Sequence, residues 1–299
     1  MKHPYLSFFL TLTFSLCISG CQLLKTSEDK PVKNSTSLFN LLDPDIKTEK
    51  QAFDKGEKEL KEGRSENALF YFIKVLQFNP LNINALEHIA FIHVQNKNKE
   101  LAVKVFNDIL KIDDKNETAN EYLGLYYFDL GQGIKAKQLL EKAAASNLST
   151  WRVHNALGVI ADLDQKYTDA IKHYQVALNK DSLNPMLFNN IGYSFYLSGD
   201  KPAAKNYFNQ ALKIDNNYHR AIYNLALIEV IENHYDSAVS LFNRIMPVYE
   251  SYNNIGYICM INNKVEWAEK YLQMAIDQSP VYFLKANENI KLLREKKAH

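Results

Sequence analysis

The chain has 299 residues, 46% of them hydrophobic and 23% charged, with 35 basic against 34 acidic side chains. A balance this near neutrality, with no basic stripe along the chain, argues against a nucleic-acid partner. No glycine-rich phosphate loop, G-x-S-x-G or H-E-x-x-H pattern is present, so the common nucleotide, acyl-transfer and zinc-hydrolase chemistries find no purchase.

Met1-Lys2-His3 is a short basic start, and residues 5–16 form an apolar run too short for a comfortable membrane span. Residues 1–20 are therefore read as a targeting signal outside the fold. The segment ends in Ile18-Ser19-Gly20-Cys21, which resembles the lipobox of bacterial lipoproteins. The resemblance implies a diacylglycerol on the Cys21 thiol, cleavage before it, and acylation of the new amino terminus. Several acyl chains, at about 0.8 kcal/mol per buried methylene, hold a protein durably on a bilayer. An ordinary signal peptide with a chance cysteine is the alternative. In that family aspartate after the cysteine often signals inner-membrane retention, so Gln22 implies the outer membrane, with the protein facing the periplasm. Once Cys17 leaves with the signal and Cys21 is lipidated, Cys259 is the one thiol left, and no disulfide framework within the chain can form. Cys259 falls at a packing position and is expected to be buried and inert.

Residues 21–48 read as the lipidated cysteine and a tether, rich in Lys, Ser, Thr, Asn and acidic residues from 25 to 37, with Pro31 and no apolar periodicity. As a flexible coil the tether spans about 25–35 Å. Leu38-Phe39-Asn40-Leu41-Leu42 interrupts it, either as a docking turn against the region that begins at residue 49 or as a small motif for a partner or a membrane surface.

From residue 49 to 282 the chain repeats. A small residue recurs every 34 positions at Gly56, Ala90, Gly124, Gly158, Gly192 and Ala226, and twelve residues after each stands an alanine, from Ala68 to Ala238. The ladder then skips four residues and closes at Gly256 and Ala268, while Asn-Asn-Ile-Gly-Tyr occurs unchanged at 189–193 and 253–257. Two locked columns over seven units define a repeat array. Large apolar residues flank each small one at helical spacing. A glycine inside a helix costs about 0.8–1.0 kcal/mol against alanine, so its recurrence predicts two helices crossing too closely for a larger side chain. Pro80 and Pro280 fall where second helices should stop. These columns resemble the tetratricopeptide repeat. The resemblance implies an all-α, right-handed tetratricopeptide-repeat solenoid of about seven helix-turn-helix units plus a C-terminal capping helix. The units are placed at 49–82, 83–116, 117–150, 151–184, 185–218, 219–248 and 249–282. The sixth is four residues short, with its second helix expected to reach Met246-Pro247. Residues 283–299 are the cap and tail, with Leu284, Ile290 and Leu293 among Lys, Glu and Arg.

In arrays of this kind the first helix of each unit lines the concave surface, which directs attention to one column. It contains Asn155, Asn189, Asn190, Asn224, Asn253 and Asn254, with Tyr193, Tyr196, Tyr223, Tyr257 and Met260 beside it. A carboxamide both donates and accepts, so such a column suits the backbone of an extended peptide largely regardless of its sequence. Resemblance to tetratricopeptide superhelices that hold peptides with asparagines implies the same role here. The bland reading is that these asparagines bond a neighbouring helix. The lysines and arginines by which the carboxylate-clamp subfamily holds chaperone tails are missing from this column. The front units offer Glu57, Glu87, Glu121 and Asp129 instead, so two surfaces and two partners are conceivable.

No chemistry is legible. His88 and His93 are five apart, not the four that puts two imidazoles on one helical face, and His154, His173, His219 and His234 are expected to be packed or solvated. The expectation is a non-enzymatic protein with no cofactor, metal or small-molecule substrate.

The C-terminal part, Tyr252-Asn253-Asn254-Ile255-Gly256-Tyr257, Ala268-Glu269-Lys270-Tyr271-Leu272, Ser279-Pro280 and Ala286-Asn287-Glu288-Asn289-Ile290, is similar to the ending of TadD-type lipoproteins of the tight-adherence (Flp) pilus system. That resemblance implies a pilotin-like scaffold binding a secretin or pilus component. The rival expectations are a periplasmic adaptor recruiting proteases or peptidoglycan hydrolases, and a pilotin of a type IV pilus or type II secretion system.

Overall fold

The computed structural model describes residues 46–298. The targeting segment, Cys21, the tether almost to its end and the 38–42 patch lie outside the described residues. Within them there are fifteen α-helices and no strand. They run as pairs: α1 (Glu49–Lys61) with α2 (Ser65–Phe78), α3 (Ile83–Gln95) with α4 (Lys99–Ile112), α5 (Glu117–Asp129) with α6 (Gly133–Ala144), and α7 (Trp151–Leu163) with α8 (Tyr167–Lys180). Next come α9 (Pro185–Leu197) with α10 (Lys201–Ile214), α11 (His219–Ile231) with α12 (Tyr235–Phe242), α13 (Val248–Ile261) with α14 (Val265–Asp277), and the single α15 (Leu284–Ala298). None of these helices is long and apolar enough to cross a membrane.

Local signals set the helix starts. Asn82 and Asn116 cap α3 and α5 by accepting the amides of Ala85 and Ala119, each at 2.8 Å, and Asn184 caps α9 ahead of Pro185. Within every pair the turn passes through a residue of positive φ at the same register: Gly63, Lys97, Gly131, Gln165, Gly199, Asn233 and Asn263. Glycine meets that geometry without strain in three of the seven units.

The recurring small residue is where the two helices of a unit touch. A methyl placed on Gly158 would come 2.5 Å from the Tyr174 ring, and one on Gly192 would come 2.8 Å from Phe208. Twelve residues on, the alanine column from Ala68 to Ala268 is wholly buried. Each unit thus closes on its own small-to-large contact and buries its outer apolar face on the next unit.

First helices also meet first helices, α5 on α7, α7 on α9, α9 on α11 and α11 on α13, whereas second helices of successive units do not approach in this way. A stack that is closer along one layer curves toward that layer, so the first helices form the inner side.

The short sixth unit departs from expectation. Its second helix stops at Phe242 instead of reaching Met246, so the deletion is taken from the helix and not from the following loop. Pro247 explains part of this, because proline excludes the helical conformation from the residue before it. Arg244 then reaches back to the backbone carbonyl of Asn216 and bonds its side-chain oxygen at 2.9 Å. In α15 the core is met by Ala286, Ile290 and Leu293, while Leu284 is left 56% exposed.

Candidate functional site

Along the inner layer of units 4 to 7 the asparagines are not independent. Asn190 donates its Nδ2 to Asn155 Oδ1 at 2.9 Å, and Asn224 donates to Asn189 Oδ1 at 3.0 Å. Asn289 on α15 donates to Asn253 Oδ1 at 3.0 Å. Each bond is a rung from one first helix to the next, spaced 35 or 36 residues. The sixth-to-seventh junction has Tyr223 in the accepting place, and there Asn254 turns its Nδ2 to Met246 Sδ at 3.0 Å. Asn189 and Asn253 are buried, whereas Asn155, Asn190, Asn224 and Asn254 keep part of their surface in solvent.

A rung consumes one donor and one acceptor. A carboxamide has two N–H groups and an oxygen with two lone pairs. The half-exposed asparagines therefore retain donor and acceptor capacity for a guest while their orientation is fixed by a neighbour.

The tyrosines line up beside these rungs. The rings of Tyr193 and Tyr196 lie 6.1 Å apart at 29°, and Tyr223 sits edge-on to Phe242 at 5.2 Å. Burial pushes the Tyr193 hydroxyl up to about 12 and raises those of Tyr196, Tyr223 and Tyr257. All four stay protonated and remain hydrogen-bonding groups at neutral pH. Met260, placed beside the asparagine column by the sequence, is instead buried in the core of the last units.

In the front units the equivalent places hold carboxylates, and these face the next unit's helix start. Asn116 donates to Glu87 at 3.0 Å and Thr150 to Glu121 at 2.6 Å, while in unit 1, where the equivalent place is Phe53, Asn82 donates at 2.6 Å to Glu49, four residues earlier. Glu59 is buried and held by two bonds from the Arg64 guanidinium and one from Asn67, and the Arg64 bond pulls its carboxyl down to about 2.

A polar trio at the seam of α7 and α9 was not singled out from sequence. Ser194 donates to both oxygens of Asp162, at 2.8 and 2.9 Å, and Tyr174 donates to Oδ2 at 2.9 Å. Burial pushes the Asp162 carboxyl up to about 6, against the pull of these two hydroxyls. A signal was present: Asp162 is the one charged residue in a column otherwise made of Leu60, Val94, Phe128, Tyr196, Val230 and Met260. Asn289 was less legible, because it lies 36 residues beyond Asn253 while the 34-residue spacing points to Asn287.

The titratable groups elsewhere are structural. His88 stacks on Phe72 at 4.4 Å. His154 bonds Ser149 at 3.2 Å, and burial drops it to about 4, so it is neutral at pH 7. Glu229, Glu232 and His234 bring ligand atoms within 4.8 Å of one another, but Lys205 Nζ already bridges the two carboxylates at 2.5 and 2.9 Å. Cys259 is buried, with its thiol pushed up to about 11 by desolvation, which removes it from thiolate chemistry.

Two family models described as tetratricopeptide repeat match residues 123–185 and 187–218. Anaphase-promoting complex subunit 3 of Schizosaccharomyces pombe is 27% identical over 149 residues, which is 50% of this chain and 22% of that protein. The chain thus matches about a fifth of that relative's length. Among solved structures, MamA is 21% identical with a TM-score of 0.48 over 56% of this chain and 92% of its own. PilF of Pseudomonas aeruginosa is 21% identical with a TM-score of 0.49 over 69% of this chain and 95% of its own. The helix pairs and the two family matches together define an all-α fold built of tetratricopeptide repeats.

Proposed function

We propose that this protein is a membrane-tethered, non-catalytic assembly scaffold that holds an extended segment of a protein partner along the inner side of units 4 to 7. The observation that carries this reading is the row of asparagine rungs beside half-buried tyrosines. Preoriented carboxamides suit main-chain amides and carbonyls, and aromatic faces give the guest's side chains an apolar bed. Fixing the asparagines in advance removes part of the ordering cost a guest must otherwise meet.

The tether in this reading is lipid on Cys21, and the compartment is the periplasmic face of a bacterial outer membrane. Both rest on the lipobox-like Ile18-Ser19-Gly20-Cys21. The partner is a secretin or another component of the tight-adherence pilus machinery, in keeping with the TadD-like C-terminal part. The mechanism is physical: the anchor raises the local concentration at the membrane of whatever the groove holds.

Crosslinked pull-down of the full chain from native membranes, with partners identified by mass, tests this. Secretin or pilus components are the expected result. Recovery of cell-wall hydrolases or a protease would transfer the function to an envelope adaptor. In parallel, Cys21→Ser should leave partner binding intact and mislocalise the partner; full assembly supported by that soluble variant would remove the tethering mechanism.

A further inference from the structure

Asp162 departs from its column, and so do the two residues that hold it. The equivalents of Tyr174 are Phe72, Phe106, Leu140, Phe208, Phe242 and Leu272. The equivalent of Ser194 is isoleucine in four of the other six units, at Ile92, Ile160, Ile228 and Ile258. At this one seam three apolar places have become a carboxylate and two hydroxyl donors. The hydroxyls explain how the oxygens tolerate burial. They do not explain the charge, since an asparagine would accept the same bonds.

Within the described residues no lysine, arginine or histidine pairs with Asp162. The nearby cations Lys137 and Lys166 go to Asp164 instead, at 3.8 and 3.6 Å. A half-buried carboxylate held by neutral donors, with nothing to neutralise it, is a site lacking its counter-charge. The Tyr193 and Tyr196 rings stand on the facing helix, one residue before and two after Ser194, and aromatic faces attract cations. The inner-layer places of units 2 to 4 leading to this seam carry Glu87, Glu121 and Asp129, with Arg152 as their sole lysine or arginine.

We propose that the seam of α7 and α9 is a cation subsite of the groove, which receives a lysine or arginine side chain of the partner segment against Asp162 between the tyrosines. This rests on the groove reading above and gives it a polarity. The basic part of the segment lies toward units 2 to 4, and its backbone-held part along units 5 to 7.

The test is a random dodecapeptide library displayed on phage and panned on the full chain purified in detergent. The expected result is a set of binders enriched in lysine or arginine at one position. Asp162→Asn, isosteric and still able to accept both hydroxyls, should abolish that enrichment and weaken the peptides selected on the parent chain about tenfold. Asp164→Asn, an exposed control two residues away, should leave the enrichment in place. Binders that depend on Asn190 and Asn224 yet show no basic preference, or a preference that survives Asp162→Asn, would overturn the subsite and leave the groove standing. No binders at all, or binders indifferent to the asparagines, would overturn both.

Discussion

Units 1 to 3 and units 4 to 7 solve the same junction with different chemistry. In front, Glu87 and Glu121 accept from the start of the next unit, through Asn116 and Thr150. Behind, asparagine bonds asparagine from one first helix to the next. A carboxylate only accepts, so it has nothing to give a main-chain carbonyl; a carboxamide joins its neighbour and keeps both a donor and an acceptor to offer. One fold can therefore present a front surface that is acidic and a back surface fitted to a peptide backbone, with the change made by single residues on an unchanged helical frame. Two carboxylates, buried Glu59 and half-buried Asp162, carry the same lesson. Glu59 has its arginine and is held near 2, while Asp162 has none and is pushed to about 6.

The sharpest way to break this contrast is at the packing beneath Asp162. Gly158→Ala drives a methyl into Tyr174 and should cost about 1–3 kcal/mol, read as a lower denaturant midpoint. At unit 2 the same place already carries a methyl in Ala90, so Ala90→Gly should cost only about 1 kcal/mol through backbone freedom.

Next in size is the asparagine row. Asn190→Ala with Asn224→Ala and Asn254→Ala should weaken the partner at least tenfold by titration calorimetry. Because two rungs are lost as well, at about 1 kcal/mol each, the thermal midpoint should fall by a few degrees. Equal binding by the triple variant would end the groove reading. Glu87→Gln with Glu121→Gln in front should leave partner binding within about twofold and stability within about 0.5 kcal/mol.

The halves should also differ in pH response. The Glu59 carboxyl is depressed when folded, so its contribution is present above about 4.5 and is lost as pH falls toward 2. The Asp162 carboxyl is raised, so its contribution is fullest below 3.8 and is lost as pH rises through about 6. Thermal midpoints from pH 3 to 8 should lose the acid limb in Glu59→Gln. Asp162→Asn should flatten the neutral limb and raise the midpoint at pH 7.5. A local effect is expected at the turns, where Gln165 holds a φ of 61° that glycine meets in three other units. Gln165→Gly should gain about 1 kcal/mol by removing that strain.

Much of this was written in the sequence. The small residues at Gly158 and Gly192 and the alanine column are each required by local geometry that repeats every 34 residues, so spacing alone exposes them. The asparagine column was legible too, and the alternative that its members bond a neighbouring helix is what Asn190 and Asn224 do, but which asparagine meets which was not legible. What joins Asn155 to Asn190, or Asn253 to Asn289, is the offset between successive first helices, and that is set by how whole units stack. The same holds for the halted helix at Phe242, the exposed Leu284 and the buried Met260. Local sequence periodicity determined which residues form each unit, because a helix pair is a short-range object. Which polar atoms meet, and which of them stay open to a partner, was decided by tertiary structure, because those contacts cross about 30 or more residues and depend on the angle at which one unit buries its face against the next.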